Sequence, residues 1–419
     1  MAVIKDILPR EILDSRGNPT IETTVILENG VVGTAAVPSG ASVGTYEAVE
    51  LRDRDESRYH GLGVQKAIAN IRNIIAPKVL GMEATKQADI DRLMIDLDGT
   101  QNKASLGANA ILSVSMAVCK AAARSQVTPL FLYLHKFTGN GHILKIPTPL
   151  FNVINGGKHA GGNIDFQEYI IFSSISTPYQ KSLEMAVKVY KSLKDVLKQN
   201  NLATLVGDEG GFGPNLPNNH EAFALIKQAV TSANLRVGFD IFFGLDVAAN
   251  SFYTNKLYHT KEKPAGFNTN ELITVYEDLK KNYNLLYLED ALFEDDWEGW
   301  TALEAKMGGS TIIVGDDLVV SNPYRLQKAI TKRAVSGIIV KPNQIGTVIE
   351  ALAVVEIARA AGLKIIVSHR SGETNDDFVA DFAVAVGADY CKFGAPVRGE
   401  RIAKYNRLLQ IEQQLLINK

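Results

Sequence analysis

Nine short apolar runs recur along the C-terminal two-thirds of the chain, and most of them stop on a charged residue. They are LFNVING, YIIFSS, ATLVGDEG, FFGLDVAA, LLYLEDAL, TIIVGDD, GIIVKPN, KIIVSHR and YCKFGAP. The later ones return roughly every 25 residues, about the length of one strand-loop-helix unit. Helical segments separate them, such as NPYRLQKAITKRAV after Ser321 and GTVIEALAVVEIARAAG from Gly346. Continuous apolar strands alternating with helices predict a parallel sheet covered on both faces. About eight units predict closure into an α/β-class β/α barrel, with an open doubly wound sheet as the structural alternative.

The first third is patterned differently and predicts a smaller α+β unit. PTIETTVILENG and VVGTAAV form two β-branched runs joined at Asn29-Gly30, a hairpin signal. VQKAIANIRNIIAPKVL and ATKQADIDRLMIDL carry apolar residues at three-to-four spacing, while GANAILSVSMAVCKAAA is apolar on nearly every side, as a helix between layers would be. The Gly/Pro-rich stretch KFTGNGHILKIPTP places a boundary near residue 140, dividing the chain into units 1–140 and 141–419.

Charge excludes one class of function. Lys plus Arg (44) nearly balances Asp plus Glu (46), leaving a net charge of −2 and no basic footprint for nucleic acid. Cys119 and Cys391 each lie in an apolar run, which fits small core residues in a reducing compartment. No run approaches the length of a bilayer span and the start has no apolar leader, so the expectation is a cytoplasmic protein without a membrane span.

The polar residues that end the runs are Asp208/Glu209, Asp246, Glu289/Asp290, Asp316/Asp317, Lys341, His369/Arg370 and Lys392. In a parallel barrel these ends share the face that carries active sites. One acid there is usually a helix cap. Four acidic ends together repel one another unless cations lie among them. Asp246, Glu289 and one of Asp316/Asp317 make an all-oxygen set that favours a hard ion such as Mg²⁺ over zinc. Because adjacent strand residues point to opposite sides, one of each acid pair should face the ion. Lys341, flanked by apolar residues and other cations, should have a lowered pKa and serve as a base, with a salt-bridged lysine as the competing reading. SHRSGET combines a guanidinium, hydroxyls and a glycine suited to phosphate, and the glycines beside Glu209 in GDEGGFGPN let that carboxylate approach a ligand. GASVG formally matches the hydrolase elbow GxSxG, but a poor apolar helix follows it and no HGGG partner exists. It also lacks the GK[ST] of a P-loop, so PSGASVG reads as a mobile flap or a plain loop.

Taken together, EILDSRGNPTIE, PSGASVGTYEAVELRD, FNVINGGKHAGGNIDFQEYII, VGDEGGFGPN, LEDALFEDDWEGW, VGDDLVVSNP, KPNQIGT, SHRSGETNDDF and GAPVRGERIAKYNRLLQIE resemble the enolase family nearly end to end, bacterial members especially. The resemblance implies a small α+β domain before an eightfold barrel with an irregular start. It implies dehydration of 2-phosphoglycerate to phosphoenolpyruvate in glycolysis and gluconeogenesis. Lys341 would remove the C2 proton, forming an enediolate, and Glu209 would be the general acid at the C3 hydroxyl, assisted by Glu168. Asp246, Glu289 and Asp316 would hold a first Mg²⁺, and Ser39 would help hold a second that enters with substrate. His159 would close over the site, with Gln167 and His369 also contacting substrate; Arg370 and Ser371 would grip the phosphate, and Lys392 the carboxylate. The family also implies a homodimer or an octamer of dimers.

Four positions depart from the family pattern: Val43, Asn250, Ala291 and Phe393, the last beside Lys392. None is an assigned catalytic group. Two other functions compete: a superfamily relative acting on another acid, and a scaffold or surface-binding protein with reduced or no activity, for which Lys419 is weak support. Intact acids, base and phosphate grip favour the dehydratase, because a scaffold has no need to keep repelling carboxylates together.

Overall fold

The computed structural model describes residues 2–40, 44–139 and 143–417. The proposed boundary near 140, Val43, Lys419 and most of the GASVG segment lie outside them.

Three antiparallel strands open the chain: β1 (Ile4–Leu13), β2 (Pro19–Leu27) and β3 (Val32–Ala36). The Asn29-Gly30 hairpin joins β2 to β3, with Gly30 at φ +81. β1 is the strand that pattern reading leaves out. Its charged residues and Pro9 hide it, yet it pairs in register with β2 from Leu13–Pro19 outward. Helices α1 (Gln87–Asp98) and α2 (Ala108–Ser125) follow, and α2 packs on β2 and β3. All but three of its residues are buried, as its small apolar composition requires. The preceding VQKAIANIRNIIAPKVL segment is helical but contains a π-helical turn at Ile71–Ile75.

Among the described residues of the second unit, eight strands close a barrel. They are β4 (Thr148–Asn155), β5 (Glu168–Phe172), β6 (Phe242–Asp246), β7 (Leu285–Glu289), β8 (Ile312–Gly315), β9 (Gly337–Val340), β10 (Lys364–Ser368) and β11 (Tyr390–Lys392). Around the barrel they run in chain order, with β11 hydrogen-bonded to β4. Leu150, Ile170, Tyr287, Val314, Ile339 and Ile366 fill the interior. The outer helices are α3 (Tyr179–Gln199), α4 (Asn219–Ser232), α5 (Thr269–Tyr283), α6 (Trp297–Met307), α7 (Pro323–Lys332), α8 (Val348–Ala360), α9 (Phe378–Ala385) and α10 (Gly399–Ile417).

Two expectations need correction. The barrel is not wholly parallel, because β5 runs antiparallel to both β4 and β6. A short loop with a single 3₁₀ turn at Gly157–Ala160 joins β4 to β5, and without a crossover helix the chain returns antiparallel. ATLVGDEG forms no barrel strand: Val206 makes only an isolated bridge to Phe212, and Leu205 is 80% exposed. Its apolar residues imitate a strand, but the segment is a loop over the barrel mouth.

Candidate active site

One end of the barrel collects the charged residues. Asp246, Glu289, Ser368 and Lys392 are the last residues of β6, β7, β10 and β11, while Asp316 and Lys341 follow β8 and β9 directly. Glu168 is the first residue of β5, but because that strand is reversed its register pairs it with Asp246 at the same rim. The mouth cavity is lined by Glu47, His159, Gln167, Glu168, Glu209, Asp246, Asp290, Asp316, Asp317, Lys341, His369, Arg370, Ser371 and Lys392, among others. Residues as far apart as Glu47 and Lys392, 345 positions, thus meet in one chamber, and the α/β barrel brings together those of the second unit.

Lys392 is the electrostatic centre. Its Nζ lies 2.9 Å from Asp246 Oδ2, 2.7 Å from Glu289 Oε1 and 3.3 Å from Glu168 Oε2. Burial opposes its charge, but the three carboxylates outweigh burial and hold its pKa well above that of a free lysine. Glu289 also accepts a hydrogen bond from the Tyr287 hydroxyl. Burial and the charge of Asp246 push its carboxyl up to about 8.

Lys341 donates to Asp316, which also accepts from Gln344 Nε2 at 3.0 Å. The expected lowering of the Lys341 pKa does not hold here. Burial, Arg370 and Lys392 do favour the neutral amine, but the Asp316 charge wins and the pKa is raised. The competing reading of an ion-paired lysine therefore describes this state.

Glu168, Glu209 and His159 offer ligand atoms within 4.8 Å of one another. Burial first, then the Glu209 charge, raises the Glu168 pKa well above normal. Burial pushes Glu209 in the same direction, but His369, His159 and Arg401 reverse it. The proton of the pair consequently sits on Glu168. Asn152 Nδ2 donates to Glu209 at 3.1 Å.

Asp290 and Asp317, the second acids of their pairs, hold neighbouring groups without leaving the cavity. Asp290, at φ +44, turns its carboxylate under the next strand end and accepts from the amides of Asp316 and Asp317, each at 2.9 Å. Asp317 accepts from Asn250 Nδ2 at 3.0 Å. Both Asp290 and Asp317 line the mouth, so strand alternation does not separate the pairs; beyond the strand end the pleat no longer governs direction. Asn250 is thereby next to the site, whereas Phe393 is buried away from it against Tyr405 and Ala291 accepts from the Tyr276 hydroxyl.

Ser39 is not in the cavity lining. Its hydroxyl donates to Asp14, and its backbone exchanges hydrogen bonds with Gly372, fastening the first unit to the SHRSGET loop. Arg370 is paired with Glu47 from the first unit, Nη1 to Oε2 at 2.7 Å, both side chains 5% exposed.

Sequence reasoning missed Glu47, Tyr287, Gln344, Asn152 and Arg401. Tyr287 was within reach, since it sits two residues before Glu289 on one face of β7. The others carry no local signal.

The donor set fits a hard divalent ion. Asp246, Glu289, Asp316, Asp290 and Asp317 present only oxygen, all buried or nearly so, and lysine ammonium groups occupy the positions where such charge demands a counterion. Asp290, Asp316 and Asp317 also offer atoms within 4.8 Å of one another.

An α/β barrel whose mouth sets buried lysines among repelling carboxylates has the make-up of an acid–base enzyme able to hold a metal ion. The comparisons with known proteins agree. Residues 4–134 match the family described as "Enolase, N-terminal domain" and residues 143–418 "Enolase, C-terminal TIM barrel domain". The chain is 50% identical over 415 residues to "Enolase" of Acidothermus cellulolyticus, covering 99% of this chain and 95% of that protein. The chain belongs to the enolase family, and its activity is that of this family of lyases. Among the described residues no helix is long and apolar enough to cross a membrane.

Proposed function

We propose that the barrel mouth interconverts 2-phosphoglycerate and phosphoenolpyruvate, with Lys341 as the base at C2 and the Glu168/Glu209 pair as the acid at C3. The supporting observation is the placement of Lys341 and that pair in one buried chamber with Lys392 and Arg370. Units 1–140 and 141–419 act as a capping domain and a catalytic barrel.

Removal of a proton beside a carboxylate concentrates negative charge there, so positive charge must already be in place. Lys392 supplies it, and Arg370 with Ser371 receives the phosphate. Asp246, Glu289 and Asp316 would hold Mg²⁺, with Ser39 near a second ion entering with substrate; bound Mg²⁺ supplies Lewis-acid stabilisation of the substrate carboxylate. Lys341 becomes a base once Asp316 turns from it, because that removes the largest charge holding its proton and leaves burial, Arg370 and Lys392 against the smaller pull of Glu289. Hydroxide leaves only with a proton, which the pair stores on Glu168 and delivers through Glu209. His159, Gln167 and His369 surround that end of the substrate. A homodimer or octamer, in the cytoplasm and serving glycolysis, completes the reading implied by the family.

The test follows the ultraviolet absorbance of the conjugated product forming from 2-phosphoglycerate with Mg²⁺, with EDTA and with Lys341→Ala. Turnover abolished by EDTA and reduced at least about 10²-fold in the variant is expected. Undiminished turnover in Lys341→Ala would refute the assignment of the base.

A further inference from the structure

Arg401, on the first turn of α10, is completely buried although it carries a permanent charge. Its Nη1 lies 2.7 Å from His369 Nδ1 and 2.6 Å from the Arg370 carbonyl; its Nη2 lies 2.6 Å from the Ser371 carbonyl and 3.1 Å from that of Asp208. A guanidinium has only donors and keeps its protons in proteins. The Nδ1 that receives its N–H must therefore present a lone pair. A neutral imidazole with a bare Nδ1 carries its hydrogen on Nε2. That Nε2 lies 3.3 Å from Glu209 Oε2.

We propose that Arg401 is a positioning residue that fixes His369 as the neutral Nε2–H tautomer, so that the ring faces Glu209 with an N–H that exchanges no proton during turnover.

Packing closes tightly around the imidazole. Gly394 has φ +87, and a Cβ there would lie 2.8 Å from the Glu209 carbonyl, 3.0 Å from His369 Cε1 and 3.1 Å from Arg401 Cδ. Glycine lets the three segments close on one another, and the Tyr405 hydroxyl pins its carbonyl at 2.7 Å. Protonating Nδ1 would aim an N–H at the guanidinium and break its hydrogen bond. The pKa of His369 agrees: burial, assisted by Arg401 and opposed by Glu209, takes it down to about 3. The same guanidinium ties the Asp208 carbonyl to those of Arg370 and Ser371, so one side chain sets both the donor and the loop that carries its acceptor. A fixed donor favours the ionised form of Glu209 and leaves the resting proton on Glu168. This last consequence rests on the assignment of Glu209 to the reacting pair; the tautomer does not.

The test uses the full-length protein labelled with ¹⁵N-histidine, without substrate. Long-range ¹H–¹⁵N spectra report which ring nitrogen is protonated, and the His369 signal is the one missing in His369→Gln. The expected pattern is a protonated Nε2 and a bare Nδ1, unchanged from roughly pH 6 to 9, where an unconstrained histidine titrates. In Arg401→Lys the tautomers should mix or the ring should titrate, with kcat reduced and KM little changed. His369→Gln serves only to assign the resonance, because the ring also lines the substrate chamber. An Nδ1–H or cationic His369 in the wild type would overturn the proposal, as would an unaltered tautomer in a folded Arg401→Lys. Should that variant not fold, the wild-type spectrum decides. A locked tautomer in a protein inactive on 2-phosphoglycerate would refute the substrate assignment and leave the lock standing.

Discussion

Lys392→Met isolates the charge that the mouth carboxylates share. The substitution keeps an unbranched side chain but removes the cation between Asp246, Glu289 and Glu168, in a position 3% exposed. Breaking a buried charge cluster by deleting one partner costs about 3–5 kcal/mol. Unfolding entropy of about 2.1 cal/mol/K per residue over 419 residues gives roughly 0.9 kcal/mol/K, so a chain melting as one unit should lose about 3–6 °C in Tm. The assay is thermal unfolding in EDTA above pH 8, followed by circular dichroism. Glu289, already raised to about 8 by burial and Asp246, rises further without the lysine. An acid raised in the folded state adds stability at low pH that is lost as pH climbs through its folded pKa, so the deficit should shrink on acidification. Added Mg²⁺ should restore more Tm to the variant than it adds to the wild type, by replacing the missing cation. A variant as stable as wild type in EDTA, or a deficit that grows as pH falls, would refute the account of Lys392 as counterion.

Three further outcomes are expected. Glu47→Gln leaves Arg370 a hydrogen-bond acceptor without a counter-charge, so stability should fall by about 1–3 kcal/mol in denaturant melts, with the KM for 2-phosphoglycerate changed more than kcat. Gly394→Ala places a Cβ where no space exists and at positive φ; a loss exceeding about 1 kcal/mol together with reduced kcat is expected, and a variant indistinguishable from wild type would disprove the close packing of Glu209 and His369. Asp91, on α1, accepts from the Ile349 amide at the start of α8, and burial raises its carboxyl to about 7. Its contribution is full below about pH 4 and is lost as pH rises to 7, on the order of 4 kcal/mol, so Asp91→Asn should flatten the stability profile in that window.

The barrel was legible because strands buried on both faces must be continuously apolar. GIIV in β9 and KIIVS in β10 announce themselves and deliver Lys341 and His369 directly after them. The same rule misled at ATLVGDEG, where apolar residues serve a loop, and it was silent at β1, whose exposed positions carry charge. Strand ends located Asp246, Glu289, Asp316, Lys341 and Lys392, but not Glu168, because a residue that begins its strand leaves no mark at the strand's end; the family motif FQE alone singled it out. Groups acting at long range, such as Glu47 on Arg370 and Arg401 on His369, have no local pattern, since their partners lie 323 and 32 residues away. The direction of the Lys341 shift was misjudged because apolar flanks in sequence disclose burial but not the carboxylate that burial encloses.

The reversal of β5 makes the two acids mechanically unequal. Glu168 belongs to the barrel wall, laddered to Asn155 on one side and Asp246 on the other, and moves only with that wall. Glu209 rides on a loop moored by Phe212 to β4, by Ala395 to the last strand's exit and by Arg401 to the final helix. One acid is a fixed post and the other hangs from three ropes. The spacing that decides which carboxylate owns the shared proton is therefore adjusted from the loop side, and a substitution at any of those moorings, even one far from substrate, acts as a tuning screw on where the proton rests.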